Sequence, residues 1–351
     1  MISPSAIPPY QEETAKDVSS TNGQAPRKNI FQHFQTEADK IVSTGSVMIY
    51  PGGRWIHQSG KGLQQFGKEL INDKTLASID FYPEAREVFG DAASIADGIT
   101  IVVKNKNKQS EGFEYSYIHN GEKETVHTDN PGDDLMPLYP KDNAILKKVK
   151  AFVKNNDYKF LHDAILPRTL FGIESDFVSK HPKAVKLYKE GKKLKDGEIK
   201  LLANDKAGKA GRSTWYIASK TIIPNNPDKI EEWQVVVSSA NAGGQKRDNQ
   251  LEIMDNRTAF GRSRVALRSF KTREEAENFY RYVRTYIVRY TFLMTDEALT
   301  SLGKVVPDII DYTSNNNKFD FNSTLDAQLF KKIGLTDDEI DYIKHTVDSI
   351  R

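Results

Sequence analysis

The chain contains no cysteine among its 351 residues. This absence excludes disulfide bonds, a thiol nucleophile and thiolate metal ligands. Long apolar runs are also lacking, since none approaches the ~20 residues that a membrane-spanning helix needs. The first residues are polar and contain proline, unlike a signal peptide with a basic end and an apolar middle. Together these absences favour a cytoplasmic protein with no membrane partner.

The chain as a whole has no strong net charge, since its formal net charge is +2, but individual segments are strongly charged. Residues 1–140 carry 13 Lys and Arg against 19 Asp and Glu, whereas residues 141–220 carry 19 against 9. A basic middle between acidic ends is expected of a protein with a polyanion-binding face. The alternative is that the lysine runs are ordinary solvated helix faces. The seven histidines show no metal-ligand spacing, so no metal site is predicted.

Strand-like and helix-like segments alternate through the first 120 residues. Helical spacing of apolar residues marks residues 29–42 and 60–73. Four short segments rich in β-branched and aromatic residues predict strands, namely VMIYP (47–51), SIDFYP (78–83), GITIVVKNK (98–106) and FEYSYIH (113–119). The alternation favours an α/β fold with a mainly parallel sheet and an antiparallel pair at its edge.

The irregular stretch DNPGDDLMPLYP (129–140) predicts a domain boundary. Beyond it, residues 142–164 and 174–190 have a helical pattern, and several short strands follow. The clearest helix is TREEAENFYRYVRTYIVRYTFLM (272–294), where Thr272 and Glu275 have the spacing of a capping box. Two short helices are predicted in the tail.

Residues 7–10 read Ile-Pro-Pro-Tyr and are followed by Gln. This resembles Asn-Pro-Pro-Tyr, the catalytic signature of DNA methyltransferases that act on an exocyclic amino group. Segments that follow it are similar, in order and spacing, to those of adenine-specific enzymes of type II restriction–modification systems. They are VMIYPGGRWIHQSGKG, ELINDKTLASIDFYPEAREVFG, DGITIVVKNK and, near the C-terminus, SFKTREEAENFYRYVRTYIVRYTFLM. The resemblance covers most of the chain from residue 7 and is weakest at 142–230.

The resemblance implies a three-part organisation. Residues 1–135 would form the distal half of the methyltransferase catalytic domain, with a partial Rossmann-like sheet. Residues 136–300 would form an α+β DNA target-recognition domain, and residues 301–351 a helical C-terminal tail.

The resemblance also implies how the tetrapeptide would act. Such enzymes take the target base out of the duplex by base flipping. In the family, the Asn side chain and the carbonyl of the first proline align the amino group for attack on the methyl group of S-adenosylmethionine. Mapped here, Pro8 supplies the carbonyl, Pro9 completes the signature and Tyr10 stacks on the base. Ile7 occupies the Asn position, and its side chain has no hydrogen-bond acceptor.

In this family the half that binds S-adenosylmethionine precedes the signature. Here only six residues precede Ile7. The glycine pairs at 52–53 and 243–244 lack the strand–turn–helix context of a dinucleotide-type site. The expectation is therefore that the cofactor-binding half is not in this chain.

Three polar clusters are candidates for contacts to DNA, because Arg and Lys suit phosphates while Arg, Asn and Gln suit base edges. They lie at 204–216, 241–250 and 256–268, and each could equally be a polar surface loop. The candidate residues are Lys206, Lys209, Arg212, Asn241, Gln245, Lys246, Arg247, Arg257, Arg262 and Arg264. Arg54 and Trp55 follow a predicted strand and could line the pocket of the flipped base. A core Trp beside a surface Arg is the alternative.

The sequence therefore predicts a DNA-binding part of an adenine-specific DNA methyltransferase, inactive alone. Its partner would be double-stranded DNA. One alternative is an active methyltransferase subunit completed by a separate cofactor-binding chain. The other is a non-catalytic interaction protein that has the same fold.

Overall fold

A computed structural model gives the architecture of two compact units, residues 1–144 and 145–351, and the division falls within one helix. The residues that the structure describes are 10–12, 27–29, 31–53, 55–56, 63–92, 95, 97–132, 136–208, 211–245, 248–295, 299 and 301–349.

The elements of the first unit alternate between strands and helices before a run of three consecutive strands. They are β1 (Tyr10–Glu12), β2 (Arg27–Asn29), α1 (Phe31–Ile41), β3 (Gly45–Pro51), α2 (Gln64–Ile71), β4 (Leu76–Tyr82), α3 (Arg86–Phe89), β5 (Ile99–Asn105), β6 (Phe113–His119) and β7 (Glu122–Thr128), with α4 (Pro140–Asn155) crossing the division. The mixed α/β class expected from the sequence is confirmed.

The main sheet of the first unit has the strand order β3-β5-β4-β6-β7. Strand β5 lies between β3 and β4 and is antiparallel to both, so β3 and β4 run in the same direction. Only the pair β4–β6 is parallel among the neighbours in this sheet, and β6–β7 is an antiparallel hairpin. The expectation of a mainly parallel sheet is wrong. Alternation with α2 predicts the crossover from β3 to β4, but it does not reveal that β5 inserts between them.

The core of the first unit is aromatic where α1 and α2 meet β3. The rings of Phe31, Tyr50, Trp55 and Phe66 pack together with centroid distances from 5.2 to 6.1 Å. Mostly tilted and edge-on contacts of this kind add about 0.5–1.5 kcal/mol per pair beyond the burial of area. They fix α1 and α2 on one face of the sheet.

A buried lysine joins α1 to the sheet. Lys104, on β5, is 7% exposed, and its ammonium contacts carboxylate oxygens of Asp39 (2.7 Å) and Asp73 (2.5 Å). Gln35 donates to Asp39 at 2.7 Å and accepts from the Tyr50 hydroxyl at 2.5 Å. The buried charge is therefore matched on two sides, as a charge removed from water must be.

The second unit contains short strands followed by a helical half. Its elements are β8 (Lys159–Phe160), α5 (Phe177–Lys180), β9 (Val185–Leu187), β10 (Glu198–Asn204), β11 (Ser213–Ser219), β12 (Trp233–Ser238), β13 (Glu252–Met254), β14 (Thr258–Phe260), β15 (Arg264–Phe270), α6 (Arg273–Val283), α7 (Tyr286–Leu293), β16 (Pro307–Asp308), α8 (Leu325–Ile333) and α9 (Asp337–Asp348). The two short helices expected in the tail are confirmed.

Two larger sheets, a two-stranded sheet of β8 and β16, and a helical layer form the second unit. A four-stranded sheet has the order β14-β10-β11-β9, and a three-stranded sheet the order β13-β12-β15. Strand side chains alternate between faces. Val235 and Val237 of β12 accordingly pack in the core with α6–α9, while Val236 packs in a second core with the four-stranded sheet. The three-stranded sheet is thus the middle layer.

The long helix expected at 272–294 is two helices in the structure. The capping box is confirmed, with Thr272 accepting from the Glu275 amide and the Glu275 side chain accepting from the Thr272 amide. The helix ends because Thr285 adopts an extended backbone and its hydroxyl donates to the Tyr282 carbonyl at 2.7 Å. Apolar periodicity continues across this break, so it does not show in the sequence pattern.

The helix expected at 174–190 is also different. Only α5 is helical there, and the chain then forms β9. Pro182 follows the end of α5, and a proline so placed opposes continuation of a helix because it lacks an amide hydrogen.

Candidate nucleic-acid interface

The tetrapeptide lies mostly outside the described residues, which include Tyr10 but not Ile7, Pro8 or Pro9. Tyr10 begins β1 and pairs with Asn29 of β2 in antiparallel register. Arg54, Lys209, Lys246 and Arg247 also lie outside the described residues.

In the main sheet of the first unit, the carboxyl ends of β3 and β4 lie at the same end of the sheet, where Pro51 and Tyr82 both pair with Ile99. In open α/β sheets, ligands bind outside the carboxyl ends of the strands. Here the turn amides already have partners, since Gly52 donates to the Gly98 carbonyl at 2.7 Å and Gly53 donates to Asp97 at 3.1 Å. The Gly52 and Gly53 amides are therefore not free to bind a phosphate or a cofactor.

Gly98 is required by close approach at this end of the sheet. A Cβ there would lie 2.2 Å from the Tyr82 carbonyl oxygen, and the residue has a φ of +79°. A side chain at Gly98 would therefore displace the turn that follows β3. A Cβ on Gly53 would lie 3.0 Å from the Phe81 ring, which would have to shift by a few tenths of an ångström.

Trp55 is fully buried, at 0% exposure, beneath this turn. Its indole N–H donates to the Thr100 hydroxyl at 3.1 Å, which satisfies the polar atom of a buried ring. In this conformation its ring packs on Tyr50 and Phe66 and has no face open to a base. The structure thus fits the alternative of a core tryptophan.

In the second unit, strands β10 and β14 are parallel and end at the same edge. The Gly261 amide donates to the Leu202 carbonyl at 2.8 Å, which fixes the residues after β14 beside the end of β10. β10 then enters the 205–212 turn. The first and third polar clusters therefore share this edge.

The second cluster reaches the same edge through Ser239, which follows β12. Its amide donates to the Ser263 carbonyl at 3.0 Å, and its hydroxyl donates to the Arg262 carbonyl at 2.6 Å. We call the resulting surface, formed by residues 205–208, 211–212, 239–245 and 261–263, the loop edge. The three segments predicted separately from sequence are brought together there.

Lys206 and Arg212 project from the turn that joins β10 to β11. The turn is fixed by its own backbone, since the Asp205 amide donates to the Arg212 carbonyl at 2.9 Å and the Arg212 amide donates to the Asp205 carboxylate at 2.8 Å. Both cationic side chains are exposed, and neither has an ion-pair partner among the described residues. They are available to an anionic partner.

Arg262 is exposed at the loop edge but already has a carboxylate partner. Its guanidinium contacts Glu174 at 2.7 Å, and its carbonyl accepts from the Arg168 guanidinium at 2.9 Å. An ion pair between side chains that are 44% and 47% exposed contributes little to stability. Arg262 can therefore exchange Glu174 for a phosphate at small cost.

Arg257 and Arg264 are tied into the protein. The Arg257 guanidinium donates to the carbonyls of Lys195 and Glu198, the second at 2.7 Å, at the far end of β14 from the loop edge. Arg264 is 9% exposed and contacts Glu252 at 2.6 Å. These two arginines hold strands and loops together.

The two amide candidates of the second cluster also face inward. Asn241 is 4% exposed. The Gln245 side-chain amide donates to the Thr295 carbonyl at 2.8 Å, and its oxygen is buried without a partner among the described residues. They shape the 239–245 loop beneath its surface.

Lysines at 183–195 are a basic surface that was not singled out from the sequence. Their signal was present in the charge of the basic middle, but the expectation of a helix over 174–190 obscured it. In the structure, Lys186 lies on β9, an edge strand of the four-stranded sheet, and the other lysines lie just before or after that strand.

Metal and membrane features are not found in the part of the chain that the structure describes. There, no group of three or more His, Asp or Glu side chains could hold a metal ion. Nor does any described helix have the length and apolar character needed to cross a membrane.

Comparison with known proteins gives a partial match. Residues 8–89 match the family model of the Eco57I restriction-modification methylase. Among solved structures, the type IIG restriction endonuclease BpuSI is similar at 8% identity and a TM-score of 0.32. That match covers 93% of this chain and 49% of BpuSI, so the chain spans about half the length of that enzyme. No curated protein matches the chain.

Proposed function

We propose that this chain is the DNA-binding part of an adenine-specific DNA methyltransferase of a restriction–modification system. The methylase match at 8–89 supports the class, and it begins within the Ile-Pro-Pro-Tyr tetrapeptide. The observation that carries the DNA-binding part is the loop edge, where the three segments converge and the cationic side chains of Lys206 and Arg212 have no ion-pair partner among the described residues.

Under this proposal the tetrapeptide receives the flipped adenine. The Pro8 carbonyl accepts one hydrogen bond from the exocyclic amino group, and Tyr10 stacks on the base. Stacking of a base on an aromatic side chain contributes roughly 1–3 kcal/mol. Ile7 provides no second acceptor, so the amino group is held on one side only. The chain alone then binds DNA without methylating it.

S-adenosylmethionine supplies the methyl group in such enzymes, and the Gly52, Gly53 and Gly244 amides are not free to bind it. The Gly52 and Gly53 amides donate to the carbonyls of Gly98 and Asp97. The Gly244 amide donates to the Asn241 carbonyl at 3.1 Å. We infer that methyl transfer needs a further cofactor-binding segment or chain.

The first test measures the binding of the full chain to a duplex-DNA pool by fluorescence anisotropy across a salt series. The Lys206→Glu/Arg212→Glu variant should bind more weakly, with a salt slope smaller by about 1.8, since each lost phosphate contact removes about 0.9. The matched control is Lys147→Glu/Lys331→Glu, which makes the same charge change at exposed positions of the second unit. Equal affinity of the two variants would refute the assignment of the loop edge.

A further inference from the structure

Strand β9 is one of the two edge strands of the four-stranded sheet, the other being β14. Among the described strands it pairs only with β11, in antiparallel register from Ala218–Val185 to Tyr216–Leu187. Val185 packs in the core, while Lys186 and Leu187 face outward, the latter at 64% exposure. An exposed strand edge is open to another molecule.

The chain around this strand carries charge of almost one sign. Residues 180–195 contain seven lysines and one glutamate. Lys180 pairs with Asp176 at 2.8 Å, but six exposed lysines have no side-chain partner among the described residues. We call these six the lysine strip, which consists of Lys183, Lys186, Lys189, Lys192, Lys193 and Lys195.

The lysine strip leads toward the loop edge. β9 runs antiparallel to β11, and the Tyr188 amide donates to the Trp215 carbonyl at 2.9 Å, close to where β11 begins. β11 in turn begins directly after Arg212. The cationic surface therefore runs from Lys183 along β9 to Lys189, close to the turn that bears Lys206 and Arg212. Lys195 lies at the opposite end of the sheet, where its carbonyl accepts from Arg257.

Protection against edge-to-edge aggregation is another reason for lysines on such a strand. That reason accounts for Lys186, which lies on the strand. It does not account for Lys189, Lys192, Lys193 and Lys195, which follow β9 in a loop where no strand edge needs protection. Within residues 180–195 only Glu190 offsets the repulsion among seven lysines, and the six strip lysines have no ion-pair partner among the described residues. An external polyanion is therefore the better explanation.

We propose that the lysine strip contacts the phosphates of double-stranded DNA without reading its sequence, next to the loop edge. The inference rests on the proposed function and adds a surface to it. Lysine suits this role because it is a flexible point charge that neutralises phosphates without a fixed geometry. Counterion release from such contacts supplies affinity that is independent of sequence.

The test compares two triple variants of the full chain with equal loss of charge. One is Lys183→Gln/Lys186→Gln/Lys189→Gln in the strip. The control is Lys147→Gln/Lys154→Gln/Lys331→Gln, at exposed lysines of the same unit that have no ion-pair partner among the described residues. Binding to a random 30-base-pair duplex is measured by anisotropy across a salt series, and sedimentation velocity follows the association state.

The strip variant should lose at least about tenfold in affinity near 0.1 M salt, with a slope smaller by about 2.7. The control should bind like the wild type, and Lys→Arg replacement at the three strip positions should preserve the slope. Equal binding by both Gln triples would overturn the inference. Self-association of the strip variant with unchanged DNA affinity would also overturn it, because that result would show that the lysines prevent edge-to-edge pairing of β9.

The two proposals fail in different ways. If Lys206→Glu/Arg212→Glu binds DNA more weakly and the strip triple variant binds like the wild type, the proposed function is supported and the role of the lysine strip is refuted. If only the strip triple variant binds more weakly, the role of the strip is supported and that of the loop edge is refuted. No binding by the wild-type chain at low salt overturns both.

Discussion

At the scale of single residues, the partners of a side chain decide its role more than its type does. Arg212 and Arg257 are both exposed arginines in predicted DNA-binding clusters. Arg212 has no side-chain partner among the described residues, whereas Arg257 donates to two backbone carbonyls. Sequence alone could not separate them, because the carbonyls that Arg257 contacts lie about 60 residues away along the chain.

Glu232 gives a prediction at this scale. The carboxylate is 8% exposed, and burial opposes its charge, but hydrogen bonds from Ser269, Lys229 and Lys271 prevail and lower its pKa to about 2. Because the folded pKa lies below the ordinary value of 4.5, ionised Glu232 stabilises the fold above pH 4.5. That contribution falls as the pH drops from 4.5 toward 2.

The measurement is the free energy of unfolding by urea, for the wild type and Glu232→Gln, between pH 7 and pH 2.5. Glu232→Gln should be less stable by about 2 kcal/mol at pH 6, and the difference should narrow below pH 4.5. A difference that does not change with pH would mean that the network does not depend on the charge.

At the scale of elements, helix α6 begins at a complete capping box. Thr272→Ala removes the hydroxyl that accepts from the Glu275 amide, so the free energy of unfolding should fall by about 1 kcal/mol. Thr336→Ala at α9, which has the same capping box, is the matched comparison. Urea titration of both variants measures the effect, and unchanged stability in both would contradict it.

Elements were predictable where a local pattern decides them. FEYSYIH has the alternation of a half-buried strand, and β6 has the predicted bounds. β7, EKETVHT, was not predicted because it is a polar edge strand, largely without the apolar residues that mark a strand. The insertion of β5 and the burial of Trp55 depend on contacts between distant segments, and neither leaves a local signal.

At the scale of the whole molecule, the two edge strands of the main sheet of the first unit differ in how they are protected against pairing with another chain. β7 begins with three consecutive charged residues, Glu122, Lys123 and Glu124, which oppose pairing with another strand. β3 is seven residues long, carries no charge and pairs only with β5 among the described strands. An uncharged free edge of this length favours pairing with another chain.

We therefore expect the isolated chain to self-associate through β3. Sedimentation velocity between about 1 and 50 µM should show a concentration-dependent larger species, and Ile49→Lys should shift it toward monomer because a charge opposes edge pairing. A wild-type chain that stays monomeric over this range would show that the edge is covered.

The middle sheet of the second unit has a further consequence, for folding. Neighbouring residues of β12 face opposite cores, so neither core can lose β12 without exposing the other. The helical half and the four-stranded sheet should then open together, with closely similar hydrogen-exchange protection in β10 and α7. The loop edge is in this way supported by a single cooperative transition, and its loops can change sequence while the sheet between the two cores remains.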